Sequence, residues 1–270
     1  MLYFYIAVSV VADFLISYFC IVDSPSDLWK CVVLFPLLFL CCLIIHFVVF
    51  ILYSLTADKE KDVTQVQNSH KRFMLCTLKL FFKLGRVSYE IENEELIPND
   101  DKYLFVCNHI SIFDPIISFV LLGKRKLAFV SKKENVEIPF AGRYMHKAGC
   151  IPLDRENNRE AVKSINKAAQ YISDGICAIG IYPEGYVNKS GKELLEFRNG
   201  AFKIAKKAHT PIVVAVIKNT RDVNDKIFRH KTKVTLKIAE VIEYDEISKM
   251  KTVEISEKVR EIMKNNLRGV

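Results

Sequence analysis

The chain has 270 residues, enough for one medium domain with a full core and an appendage. Half of these residues are hydrophobic although 26% are charged, so the apolar residues must be concentrated in particular segments. The net charge is +8, but the bases are scattered among acids and no nucleic-acid motif accompanies them; this sets nucleic acid aside and favours a lipid surface as the partner.

From the N-terminus, residues 2–22 contain one ionisable group, Asp13, and residues 31–55 contain only His46. Each segment is long enough to cross a hydrocarbon layer of roughly 30 Å at about 1.5 Å per residue. The connection between them, DSPSDLWK, contains a proline and is too short to be a domain. The expectation is a transmembrane helical hairpin occupying residues 1–56. A cleaved leader fits less well, because a basic n-region and a small-x-small site are lacking and a second apolar segment follows. The connection carries Lys30 against Asp23 and Asp27, whereas Lys59, Lys61, Lys71 and Arg72 follow the second span. The positive-inside rule then places the connection outside and the remaining chain in the cytoplasm. Residues 1–55 carry one Lys and three Asp, so the other 215 residues hold a net +10. Asp13 and His46 lie at depths of about 13 and 22 Å from the connection; the mismatch does not suit a pair, and neither residue is given a role. The eight cysteines lie in apolar surroundings without a Cys-x-x-Cys pair, which suits small buried hydrophobes better than disulfides or a metal site.

Residues 57–99 read as a linker followed by an amphipathic helix. The stretch KRFMLCTLKLFFKLGRV (71–87) is too short and too charged to span a bilayer. It suits an interfacial helix or a helix covering a core equally well. From residue 100 the pattern alternates. Short apolar runs at 103–107, 127–130, 150–153, 177–182, 212–217 and 233–239 are separated mostly by helical stretches at 115–122, 140–147, 158–173 and 199–208, and 246–267 forms a closing amphipathic helix. Residues 100–270 are therefore expected to form an α/β domain, a largely buried mixed sheet flanked by helices.

Four stretches could carry chemistry. In NHISIFDP (108–115), a strand delivers His109 to its C-terminal end, where open α/β sheets place ligands. Asp114 before Pro115 also suits a helix cap. Folded back, the carboxylate would accept one imidazole N–H, leaving the other nitrogen to remove a proton from a hydroxyl. No Gly-x-Ser-x-Gly supplies an enzyme nucleophile, so a substrate hydroxyl is the expected attacking group. GCIPLDR (149–155) places Arg155, a planar fork for a phosphate, after another strand. IYPEGYVNKSG (181–191) puts Pro183, Glu184 and Gly185 in turn vocabulary at a third strand end. HTPIVVAVIK (209–218) leads into a fourth strand.

In this order, His109-x₄-Asp114, Gly149 to Asp154-Arg155, Tyr182-Pro183-Glu184-Gly185 and Pro211-Ile-Val resemble the four blocks of the glycerolipid acyltransferases, nearest to the 1-acylglycerol-3-phosphate acyltransferase branch. The resemblance covers roughly residues 100–218 and includes SKKENVEIPFAGRYM (131–145) and FRNGAFKIAKKA (197–208). It implies His109 as general base and Asp114 as its orienting partner. Arg155, Glu184 and Gly185 would help hold the acceptor's glycerol phosphate, with Lys132 as a further basic candidate. The third block of the family continues with Thr-Arg where this chain has Tyr186-Val187, so Lys189, Lys192 or Arg198 must supply the missing base or the acceptor head group differs. The implied reaction is acyl transfer to the sn-2 hydroxyl of lysophosphatidate in membrane lipid, forming phosphatidic acid, with no bound cofactor and no metal. The donor is left open among acyl-CoA, acyl phosphate and acyl carrier protein, the last also a candidate partner. Another lysophospholipid acceptor, or a non-catalytic lipid-binding adaptor, are the alternatives.

Overall fold

A computed structural model describes residues 1–18, Ser24, Asp27, 29–59, 63–66 and 68–268, and the chain divides into two compact units, Met1–Ala57 and Asp58–Val270. In the first unit, α1 (Leu2–Ile16) has 15 residues and α2 (Trp29–Ser54) has 26. At 1.5 Å per residue these measure roughly 22 and 39 Å. Among the described residues α2 alone is long and apolar enough to cross a membrane. Of the expected first span, 2–22, the α-helix accounts for Leu2–Ile16 and the end (19–22) lies outside the described residues, so a two-span hairpin is not established. The two helices do pack antiparallel. Tyr5 Oη meets His46 Nδ1 at 2.8 Å, Ser9 Oγ meets Cys42 Sγ at 3.8 Å and Cys31 Sγ donates to Ser17 Oγ at 3.1 Å. His46 thus pairs with Tyr5. Their other faces are bare and apolar, with Tyr3 and Val32 about three-quarters exposed.

The second unit is an α/β layer. After α3 (Asn68–Leu84) comes β1 (Val87–Glu92), then β2 (Leu104–Cys107), α4 (Asp114–Leu121), β3 (Leu127–Lys132), α5 (Lys133–Glu137), α6 (Ala141–Lys147) and β4 (Ile151–Leu153). The chain continues through α7 (Asn158–Ser173), β5 (Ala178–Ile181), α8 (Lys203–Ala208), β6 (Ile212–Lys218), α9 (Thr220–Lys226), β7 (Thr232–Ile242), α10 (Tyr244–Lys249) and α11 (Thr252–Arg268). Seven strands pair in the order β1-β7-β6-β2-β5-β3-β4, with β6 and β7 antiparallel and every other pair parallel. The mixed, helix-flanked sheet is the expected class. β2 and β5 are buried along their whole length, which is why their sequences are continuous apolar runs instead of alternating ones.

One feature of this unit departs from the expectation for 57–99, and a second is one of the two readings left open for the helix there. VSYEIE (87–92) is a strand, the sheet's edge, pairing with β7 in register Val87–Thr232 to Glu92–Lys237. Its two glutamates disguise it, since an edge strand exposes half of its side chains. The helix before it covers the core: Leu75, Leu80 and Phe82 are buried, and the buried Lys71 ammonium donates to the Arg125 carbonyl, while Arg72 and Lys79 face outward. At the other end of the domain, α7 begins where the Asn157 side chain accepts the Arg159 and Glu160 N–H groups.

Close packing fixes β5 against β3. A Cβ on Gly180 would lie 2.4 Å from the Phe129 ring, so the ring occupies space that only glycine leaves. Gly180→Ala is expected to destabilise the domain by about 1–3 kcal/mol through overpacking, read as a fall of several degrees in Tm for the detergent-solubilised protein.

Candidate active site

All the parallel strands near the centre of the sheet end at one edge, and the candidate residues gather there. β2 ends at Cys107, and Asn108 fixes its exit: the buried side chain donates to the Ile217 carbonyl at 3.1 Å and accepts the Ile217 N–H at 2.8 Å. The strand end is thereby clamped to β6 before the chain turns into the loop that carries His109.

In that loop His109 Nδ1 lies 2.8 Å from Asp114 Oδ2. A carboxylate only accepts, so Nδ1 carries the hydrogen and Nε2 is the basic nitrogen. The same Oδ2 accepts the Ile110 N–H at 2.6 Å and the Ser111 N–H at 2.8 Å. The other oxygen, Oδ1, accepts the Thr220 hydroxyl. Asp114 is fully buried, and all its partners are donors. The capping expectation needs correction here. Asp114 is the first residue of α4 and makes no cap to the amides ahead of it; its carboxylate turns back to the preceding turn. Pro115 follows it at the start of the helix, where a missing N–H costs nothing.

Tyr182, at the end of β5, lays its ring against the imidazole with centroids 4.6 Å apart, and its hydroxyl reaches Ser118 Oγ at 3.3 Å. Beyond it the chain turns tightly: the Gly185 N–H donates to the Tyr182 carbonyl at 3.0 Å with φ +76° at Gly185, a conformation that favours glycine. Glu184 points inward. One carboxylate oxygen accepts the His109 N–H at 2.7 Å and the other accepts the Leu195 N–H at 2.8 Å. Burial pushes its carboxyl above the usual range, opposed by those two hydrogen bonds. Both oxygens are therefore engaged with the main chain, and the side chain braces two loops. The next loop is tied to the same place. The Asn188 N–H donates to the His109 carbonyl at 2.7 Å, and Arg221 donates to the Asn188 carbonyl at 2.9 Å.

His109 opens onto a cavity of about 370 Å³. Its lining includes Lys132, Arg155, Gly185, Tyr186 and Arg198, together with the apolar Phe129, Val130, Leu153, Ile165 and Ile181. Arg155 is half-buried, its guanidinium lies 5.0 Å from the Tyr186 ring centroid, and its buried Nε has no hydrogen-bond partner among the described residues. Burial lowers its pKa, and the neighbouring Arg198 adds to that effect while Tyr186 and Glu134 oppose it. Lys132 pairs with Glu134 at 2.8 Å. The structure thus brings His109, Lys132, Arg155 and Gly185 to one cavity and leaves Asp114 and Glu184 behind it. Among the described residues no group of three or more His, Cys, Asp or Glu side chains could hold a metal ion.

Sequence reasoning missed Thr220, Asn188, Arg221, Asn108 and Tyr182. Thr220 carried one usable signal, its position just past the end of an apolar strand. If Glu184 braces the two loops, Glu184→Ala is expected to raise hydrogen exchange at the His109 and Leu195 amides by roughly tenfold or more. Exchange followed by mass spectrometry on the folded full chain checks this.

Residues 88–218 match the family model described as Acyltransferase. Over 175 residues the chain is 29% identical to the 1-acyl-sn-glycerol-3-phosphate acyltransferase of Saccharomyces cerevisiae, covering 62% of this chain and 56% of that one. The protein of the same name from Haemophilus influenzae is 32% identical over 138 residues, covering 50% and 57%. The 1-acyl-sn-glycerol-3-phosphate acyltransferase alpha of Homo sapiens is 28% identical over 151 residues, covering 56% and 52%. The chain thus spans somewhat over half the length of these relatives. The crystal structure of the 1-acyl-sn-glycerophosphate (LPA) acyltransferase from Thermotoga maritima shares the fold, with a TM-score of 0.60 and 24% identity over 83% of this chain and 90% of that one. The segment that carries the His109 loop and its cavity, residues 88–218, belongs to the acyltransferase family.

Proposed function

We propose that this protein is a membrane-bound acyltransferase that moves a fatty acyl group onto the sn-2 hydroxyl of 1-acylglycerol 3-phosphate, giving phosphatidic acid. The observation that carries the reading is the His109–Asp114 pair at 2.8 Å, opening onto a cavity whose lining combines two guanidinium groups with an apolar wall. The names of the relatives agree with it.

In this mechanism His109 Nε2 removes the proton of the sn-2 hydroxyl as that oxygen attacks the donor's carbonyl carbon. Asp114 holds the imidazole in the required tautomer and stabilises the imidazolium that forms. The tetrahedral intermediate collapses by breaking the bond to the donor's leaving group, which takes the proton back from the imidazolium. The acceptor's phosphate is held by Arg155, whose buried Nε is unused, and by Arg198. Of the three bases that could replace the missing Arg of the third block, only Arg198 lines the cavity; Lys189 and Lys192 are exposed and are not among its lining residues. Arg198 is set in place by its N–H, which donates to the Pro183 carbonyl at 2.8 Å. Lys132 is available at the cavity but shares its charge with Glu134. Glu184 and Gly185 serve the acceptor indirectly, by fixing the turn. The apolar wall of Phe129, Val130, Leu153, Ile165 and Ile181 suits an acyl chain. The N-terminal unit, with the apolar α2, keeps the enzyme at the bilayer where its acceptor and product reside. The basic catalytic unit belongs on the cytoplasmic side, as the distribution of lysines implies.

Acyl-CoA, acyl carrier protein and acyl phosphate all satisfy this chemistry as donors. A panel of these donors with lysophosphatidate and neutral-headed lysolipids, using the purified full chain, tests the proposal. Transfer to lysophosphatidate is expected to fall by about 10²-fold or more in His109→Ala; undiminished transfer in that variant refutes the assignment. In Arg198→Ala the KM for lysophosphatidate is expected to rise about tenfold. Lys189→Ala and Lys192→Ala leave it nearly unchanged.

A further inference from the structure

We infer that the catalytic unit carries a bilayer contact of its own, in which Phe228, Phe81 and Ile112 form an aromatic and aliphatic tip inside a collar of basic side chains beside the His109 loop, shaped to enter the head-group layer of an anionic membrane. The side chains are conspicuously bare for their type: Ile112 is 59% exposed, Phe228 56% and Phe81 37%. The two phenylalanines adjoin each other and the loop that carries Ile112. The Phe228 ring stands edge-on to Phe81 at 5.7 Å, and Phe81 stacks on Phe113 at 6.4 Å. Phe113 and Ile112 belong to the loop between His109 and Asp114, so the patch begins within the catalytic loop itself.

Phe228 is held outward at some conformational cost. Its φ is +68°, a left-handed backbone that bulky residues rarely adopt. The chain keeps it there because the Phe228 N–H donates to the Gly85 carbonyl at 3.2 Å and the Thr232 N–H donates to the Arg86 carbonyl at 3.1 Å. Ile227 fills the space over Gly85, where a Cβ would lie 2.7 Å from its Cγ1. A turn that pays strain to expose a phenylalanine is unlike a turn that only reverses the chain.

The collar identifies the occupant. Lys226, Arg229, His230 and Lys231, all within three residues of Phe228, are exposed, and so is Arg86, next to the Gly85 carbonyl that accepts the Phe228 N–H. The acids nearby in the chain are Asp222, which pairs with Lys226 at 3.1 Å, and Asp225. An apolar tip ringed by long basic side chains suits the interface of an anionic bilayer, where rings sit at head-group depth and the bases meet phosphates. Such a contact would hold the mouth of the site against the layer that supplies the acceptor, separately from the N-terminal helices. Only this last consequence rests on the acyl-transfer reading.

The chain has one tryptophan, Trp29, so the contact can be read by fluorescence. The full-length double variant Trp29→Phe/Phe228→Trp is reconstituted in anionic vesicles whose acyl chains carry bromine. A control places the tryptophan at Val162, an exposed residue of α7. Quenching at position 228 is expected to exceed that at position 162 severalfold. Equal quenching, in vesicles where the protein transfers acyl groups, overturns the contact and leaves the proposed function standing. Shielding of position 228 from an aqueous quencher without quenching by bromine indicates a protein surface and likewise overturns it. A second variant, Phe228→Asp, is expected to raise the KM for a long-chain lysophosphatidate in vesicles by roughly tenfold while leaving kcat for a short-chain, water-soluble acceptor unchanged. An unchanged KM contradicts the inference.

Discussion

The site depends on one buried carboxylate. Asp114 has no access to solvent, and its two oxygens receive an imidazole N–H, two main-chain N–H groups and a hydroxyl. A carboxylate is expensive to bury unless each oxygen finds donors, so these four groups form a mutually required set. Removing the Thr220 hydroxyl leaves Oδ1 without a donor, removing one of the other three weakens the set on Oδ2, and removing the carboxylate leaves all four donors without this partner. The loop between His109 and Asp114 therefore has one conformation in which its polar groups are satisfied. That conformation fixes which nitrogen of His109 is basic.

The surrounding structure extends the same logic outward. Glu184 ties the His109 N–H to the segment at Leu195, Asn188 ties the His109 carbonyl to the loop after Gly185, and Arg221 ties Asn188 to α9. Asn108 locks the end of β2 to β6. Glu184, Asn188 and Asn108 stand just past the C-terminal end of a parallel strand or in the loop that follows it, and Arg221 is in the first turn of the helix after β6. The sheet thus delivers several loops to one place, and buried polar side chains make them a single rigid assembly. Arg155, which faces the cavity, is less completely satisfied; an unspent buried donor is what the proposed phosphate site would use.

How much of this was legible in the sequence follows from what each residue contacts. The central strands were readable because burial on both faces makes them unbroken apolar runs, as at 178–181 and 212–218. The edge strand 87–92 was not, because its glutamates, Glu90 half-buried and Glu92 exposed, imitate a linker. His109 and Asp114 are five residues apart, close enough that a single loop joins them, and their pairing could be anticipated. Thr220 could not, since it reaches Asp114 across more than a hundred residues and only the β2–β6 pairing brings it there. Glu184 was visible as a strand-end residue, but its direction was not: a carboxylate beside an expected phosphate turns out to face the main chain. Arg198 stood among three candidate bases, and of the three it is the one that lines the cavity.

The N-terminal unit rests on different physics. Its outer faces are apolar, and polar contacts run between its two helices: Tyr5 with His46, Ser9 with Cys42 and Ser17 with Cys31. In a hydrocarbon environment such contacts hold helices together where the hydrophobic effect does not. In the proposed reading this unit and the basic second unit divide the work of an enzyme whose acceptor is a lipid: one would supply residence at the bilayer, the other the base and the cations. The central claim concerns the second of these, that the Asp114 carboxylate makes His109 a base. Steady-state kinetics of Asp114→Asn with lysophosphatidate test it most directly, on protein whose Tm shows that it is folded. The account predicts that kcat falls by about 10²-fold or more while the KM for the acceptor stays within about twofold, because Arg155 and Arg198 are untouched. A folded variant that keeps its kcat would contradict it.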